Sequence, residues 1–232
     1  MYHKLGPRPA GVRLKGLYVS APLFARQLAE LRAAGYRSPA MEAALAPLPG
    51  RDARPEILLT FDDGFCNVLE HGLAPLAQNG FRAIQFLVAG LLGRSNEWEQ
   101  RDGEAREALM DAAQVRDWLA AGHEIGAHTL THPRLTRLPP AQAREEIFAS
   151  KRMLEDLFGV PVEHFCYPYG DVNEAVRDLV REAGYRTAVT TALGVNGAEA
   201  EPFSLKRITA RYPSRNWRTL RTWLAGLMSP RG

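Results

Sequence analysis

The stretch ILLTFDDGF (57–65) carries a run of apolar and β-prone residues straight into two adjacent carboxylates and a glycine. Neighbouring side chains on extended backbone point opposite ways, so Asp62 and Asp63 do not share a role by default. Both ionised at a strand's end, they repel unless a cation lies beside or between them. The rest of the chain is read for that cation.

Upstream, residues 56–61 form a nearly all-apolar run, the pattern of a strand covered on both faces. Downstream, residues 67–78 read as a helix stopped by Asn79-Gly80, and residues 82–88 as the next strand. This rhythm of βαβ units around a parallel sheet continues. Helices are predicted over 112–121, 139–158 and 173–183, and strands over 123–127, 163–167, 185–191 and within 204–210. A helix over 20–36 opens on Ser20 and Pro22 and closes at Gly35. Residues 90–111 are polar and interrupted, as in an insertion or lid. A C-terminal segment, 216–228, gathers Trp217, Leu220, Trp223, Leu224 and Leu227 on one helical face, expected to pack on its own domain.

The bulk numbers exclude several classes. The 232 residues suffice for one α/β domain spanning 1–232. A net charge of +3, from 29 basic and 26 acidic residues without a basic block, gives nucleic-acid binding no support. Two cysteines, Cys66 and Cys166, do not make a disulfide framework. No apolar run is long enough to span a bilayer. With no apolar leader ahead of MYHKLGPRPAG, the chain as written reads as cytoplasmic.

Strands followed by helices suggest a barrel or an open α/β sheet, in which reactive groups gather at the carboxyl ends of the strands. Three such ends are polar: TFDDG (60–64), HTLTH (128–132) and YPYGD (167–171). His128 and His132 converge on one helical face or within a compact loop, and Pro133 disfavours a helix running through them. Two imidazoles and one carboxylate are a ligand set for a divalent metal, typically Zn²⁺. The carboxylate comes from TFDDG, one aspartate ligating and the other staying free. The metal is the missing cation.

TFDDG, H-T-x-x-H and YPYG, in that order, resemble the NodB-homology polysaccharide deacetylases, carbohydrate esterase family four. The resemblance takes in nearly the whole chain, from MYH through 20–36 to the LKRI segment, and is nearest to the poly-N-acetylglucosamine deacetylase-like branch. It implies a single-domain distorted (β/α) barrel that removes N-acetyl groups from an amino-sugar glycan with a divalent metal, Zn²⁺ before Co²⁺ or Ni²⁺. Carried over, Asp63, His128 and His132 are the metal ligands and Asp62 the general base. The backbone N–H of Tyr169 is the oxyanion donor.

Two departures stand out. The Arg that pairs with the base in many members falls at Cys166, which reads as structural, so another residue must orient Asp62. No histidine lies after His164 to serve as the usual late general acid, and His3, matching the branch's MYH, is the substitute. The apolar strand that MYH closes in such relatives is not in this chain, so a longer product would be envelope-associated. Trp98, Tyr167, Tyr169 and Trp217 are candidates for lining a sugar groove. Alternatives to the deacetylase are hydrolysis of a cyclic imide or ureide on the same site, and a catalytically silent carbohydrate-binding relative.

Overall fold

The computed structural model describes residues 1–45, 55–197 and 199–210. Its strands are β1 (Lys4–Leu5), β2 (Tyr18–Val19), β3 (Leu59–Phe61), β4 (Ala83–Leu87), β5 (Glu124–Ala127), β6 (His164–Cys166), β7 (Thr187–Leu193) and β8 (Leu205–Arg207). The helices are α1 (Ala21–Ala33), α2 (Met41–Leu45), α3 (Cys66–Asn79), α4 (Ala112–Ala120), α5 (Pro140–Phe158) and α6 (Glu174–Glu182). Strands β3 to β8 form one parallel sheet in chain order, and β1 and β2 form a separate parallel pair. Parallel neighbours need crossovers, and α3, α4, α5 and α6 supply the four between β3 and β7. The result is the curled α/β barrel expected from the strand–helix rhythm.

The edges of the curled sheet are stitched together by residues 1–3. Tyr2 N–H donates to the Thr60 carbonyl (2.8 Å), and Asp62 N–H donates back to the Tyr2 carbonyl (3.0 Å). On the other side Ala210 N–H donates to the Met1 carbonyl (3.0 Å). A frayed terminus is therefore the wrong picture of this end: MYH lies between β3 and the segment after β8. Behind it, Tyr2, Phe24, Phe61 and Trp118 pack ring against ring, with centroids 5.1 to 6.0 Å apart. Each such pair adds about 0.5–1.5 kcal/mol beyond simple burial.

Most predicted elements appear with shifted ends. The first barrel strand begins at Leu59, while Glu56 makes only one bridge, to Arg37. Ser20 occupies the N-cap position of α1, but its side chain makes no capping bond. Residue β7 pairing runs on to Leu193, where the last three residues are exposed. β1 and β2 were not anticipated, being two residues each and too short for a periodic pattern. The segment 216–228 lies outside the described residues. Among those described, no helix is long and apolar enough to cross a membrane.

Candidate active site

The carboxyl ends of β3, β5, β6 and β8 meet at one buried polar cluster. Asp63 follows β3 in a left-handed conformation (φ 78°) that turns its carboxylate away from that of Asp62. His128 and His132 leave β5 on a compact loop rather than a helix. That loop needs unusual backbone at Thr129 (φ 67°) and His132 (φ 66°). With Asp63 and Tyr169 (φ 61°), these are the non-glycine residues of positive φ among the described residues, and all four lie here. Each costs of order 1–3 kcal/mol and persists only where its surroundings over-determine it.

Those surroundings are explicit. Glu146 on α5 accepts from the Leu130 and Thr131 N–H groups (2.8 and 3.0 Å) and from the Thr131 hydroxyl (2.6 Å). The Thr129 hydroxyl accepts from the His132 N–H (3.0 Å). Gly90 N–H donates to the Leu130 carbonyl, and a Cβ at Gly90 would sit 2.8 Å from that oxygen. Only glycine lets the two segments approach so closely.

Asp63 Oδ1 lies 3.3 Å from Nε2 of both His128 and His132, and all three side chains are buried. The His128 Nδ1–H donates to the Cys166 carbonyl (2.7 Å), which turns the Nε2 lone pair toward Asp63. A buried carboxylate facing two ring nitrogens requires a proton or a metal cation between them. Burial opposes charging of both imidazoles. In His128 the Cys166 contacts and Asp63 outweigh burial and push the pKa up, while in His132 burial wins and the pKa falls. One oxygen and two nitrogens within 4.8 Å of one another fit a divalent ion with room for further ligands.

Asp62 faces the other way, onto a residue that the motifs did not identify. Arg207 on β8 grips it with Nη1 to Oδ1 at 2.7 Å and Nη2 to Oδ2 at 2.8 Å. Its remaining N–H groups reach the Thr60 hydroxyl (3.1 Å), Cys166 Sγ (3.3 Å) and the Thr190 carbonyl (2.8 Å). All five guanidinium donors thus have acceptors. Burial alone would raise the Asp62 pKa, but the Arg207 charge overrides it and holds the carboxyl down at about 2. The charge expected at position 166 arrives instead from β8, with the Cys166 thiol packed against it. The only sequence signal was the pair of basic residues, Lys206 and Arg207, inside the LKRI segment. Cys166 is buried as expected of a structural residue, yet its backbone and its thiol touch both halves of the cluster.

His3 Nε2 stands 3.7 Å from Asp62 Oδ2, the oxygen that also accepts from Arg207 Nη2. Burial lowers its pKa against the pull of Asp62 and Asp63, favouring neutral imidazole. The Tyr169 ring lies edge-on to His132 at 4.7 Å and is 43% exposed at the rim, with the Arg134 guanidinium 4.1 Å above it. Trp98 stacks on His132 (4.4 Å, 27°). Tyr167 does not line a groove: it is fully buried, and its hydroxyl donates to the Phe203 carbonyl. Trp217 is outside the described residues. His123 and His164 sit at the opposite ends of their strands, so neither belongs to the cluster.

The segment 90–111 is pinned to the N-terminal residues by three carboxylates. Buried Lys4 donates to Glu99 (2.7 Å), and Asn96 Nδ2 donates to the same oxygen (2.5 Å). Glu104 accepts from the Arg13 and Leu14 N–H groups, each at 2.9 Å, and Glu107 accepts from the Tyr18 hydroxyl (2.8 Å). Lys4 follows His3 and Glu99 follows Trp98, so this one ion pair ties the imidazole beside Asp62 to the ring that backs His132.

Comparison with known proteins agrees with the architecture. The family model described as polysaccharide deacetylase matches residues 50–188. The putative polysaccharide deacetylase YxkH of Bacillus subtilis is 25% identical over 152 residues, covering 66% of this chain and 50% of that protein. This chain therefore spans half the length of that relative. Among solved structures, Streptococcus pyogenes deacetylase PplD in complex with acetate superposes with a TM-score of 0.81 at 24% identity, over 96% of this chain and 95% of that one. IcaB from Ammonifex degensii superposes at 0.80, also 24% identical, over 96% and 94%. At these identities the superpositions speak for the fold.

Proposed function

The chain belongs to the polysaccharide deacetylase family, and from that premise we propose that it hydrolyses N-acetyl groups on an amino-sugar polysaccharide or oligosaccharide. The observation that carries the reading is one arrangement. A carboxylate held ionised by Arg207 stands beside a buried Asp63–His128–His132 cluster, with an imidazole 3.7 Å away.

Asp63, His128 and His132 would hold the metal, Zn²⁺ before Co²⁺ or Ni²⁺. When bound it polarises the substrate's acetamide oxygen and lowers the pKa of a coordinated water to ~7. Asp62 would accept the proton of the attacking water, with Arg207 keeping its carboxylate oriented. The tetrahedral intermediate places negative charge on the former carbonyl oxygen, which the Tyr169 backbone N–H stabilises. Carbon–nitrogen cleavage then needs a proton on the departing amine. His3 is the imidazole on hand to carry and deliver it.

The two absences that suggested a silent carbohydrate-binding relative are both met from elsewhere in the chain, by Arg207 and His3. That supports the hydrolytic reading. The test is acetate release from N-acetylglucosamine oligomers with Zn²⁺, Co²⁺ or Ni²⁺, before and after chelation. Asp62→Asn should keep one metal per chain and lose most of the rate. Full metal content with no acetate from any N-acetylated glycan would reject the proposal.

A further inference from the structure

One buried charge pair lies beside the polar cluster and takes no direct part in the reaction. Lys4, in β1, is fully buried, and its ammonium donates to Glu99 Oε2 at 2.7 Å. The rings of Phe65 and Tyr18 complete its surroundings, their centroids 4.5 and 5.0 Å from Nζ. Glu99 is fixed in turn. Asn96 Nδ2 donates to its carboxylate and to the Ala105 carbonyl (2.9 Å), and the Glu107 N–H donates to Asn96 Oδ1 (2.7 Å).

Burying two opposite charges loses their hydration, and their mutual attraction does little more than repay it. Apolar residues of the same volume often serve stability as well or better. What apolar residues lack is direction: a caged ammonium on a fixed carboxylate pins one point of the backbone to another. Here those two points adjoin opposite sides of the site. Lys4 follows His3, whose Nε2 lies 3.7 Å from Asp62 Oδ2, and Glu99 follows Trp98, which stacks on His132. Among the described residues the His3 ring makes no hydrogen bond of its own. It is aimed by its chain neighbours: Tyr2, stitched to Thr60 and Asp62, and Lys4.

We propose that Lys4 and Glu99 are positioning residues for the deacetylation, their ion pair holding the His3 imidazole at Asp62 and the Trp98 ring against His132. The inference rests on the reading of His3 as the proton source for the departing amine and adds the device that keeps it in place. A misplacement of about 1 Å in such a group is enough to cost about 100-fold in rate.

The test uses the double variant Lys4→Met/Glu99→Leu, which strands no charge, and two acetyl donors on the Zn²⁺-loaded protein. When chitotetraose is cleaved, the carbon–nitrogen bond breaks and the amine nitrogen must take a proton. When 4-nitrophenyl acetate is cleaved, the phenolate leaves as an anion and needs none. The double variant should lose about 100-fold in kcat for acetate release from chitotetraose while its hydrolysis of 4-nitrophenyl acetate stays within about threefold of wild type. His3→Asn should show the same split. Crystal structures of wild type and the double variant should show the His3 ring displaced from Asp62 by about 1 Å or more. Equal losses on both donors would make the pair purely structural and overturn the proposal. So would a double variant with wild-type rates, or one whose His3 ring has not moved. No acetate from chitotetraose or any other N-acetylated glycan with wild type, alongside a displaced ring in the variant, counts against the deacetylase reading and leaves the pair as what places His3. A split in the double variant that His3→Asn does not reproduce would overturn the route through His3, and the proposal with it.

Discussion

On the proposed mechanism, replacing Arg207 should separate orientation of Asp62 as base from metal binding at Asp63, His128 and His132. The Asp62 carboxyl is held at about 2 against an ordinary 3.8, a preference of roughly 2 kcal/mol for the ionised form. Arg207→Met removes the opposing charge and leaves burial, which acts to raise the pKa above 3.8. The acid limb of the pH–rate profile should therefore move to higher pH by at least about 2 units. Above that limb Asp62 is again ionised but lacks its two-point grip, so kcat should still fall by about 100-fold or more. An uncompensated buried carboxylate costs about 3–5 kcal/mol of stability, which urea unfolding reads. Arg207→Lys restores charge without the fork, and its profile should lie between. Metal content measured on each variant should stay at one per chain, because the contacts of Arg207 among the described residues do not include the proposed ligands Asp63, His128 and His132. An Arg207→Met enzyme with an unshifted acid limb and a rate near wild type would show that Asp62 does not depend on this contact.

Three further outcomes follow from the geometry. His3→Asn should lower kcat by about 100-fold with KM and metal content little changed. Lys4→Met and Glu99→Leu should each cost about 3–5 kcal/mol, because each strands a buried charge, while the double variant should recover part of the loss. Strictly additive losses in urea unfolding would contradict the pairing. His164 is held neutral, its pKa lowered to about 4 first by burial and then by Arg186, and its Nδ1 shares a hydrogen with the Thr187 hydroxyl. Its unfolded counterpart takes a proton near 6.5, so stability is fully present above that pH and is lost as pH falls from 6.5 toward 4. The change between pH 7.5 and pH 5 should be about 2 kcal/mol, and His164→Gln should lose that share of the dependence.

The strand–helix rhythm, the parallel barrel and the convergence of TFDDG with HTLTH were legible in the chain because they rest on local patterns. Apolar runs, turn residues and chemistry-bearing clusters just beyond strands are written in neighbouring positions. What held Asp62 was not legible, since Arg207 lies 145 positions away and no periodicity links β8 to β3. Nor did local sequence say that residues 1–3 would lie between those strands, that Tyr167 would turn inward, or that Lys4 would be buried against Glu99. Local sequence sets which backbone shapes are favourable over a few residues. Which distant charges meet is set by closure of the barrel, when burial forces every ionised group taken out of water to find its partner.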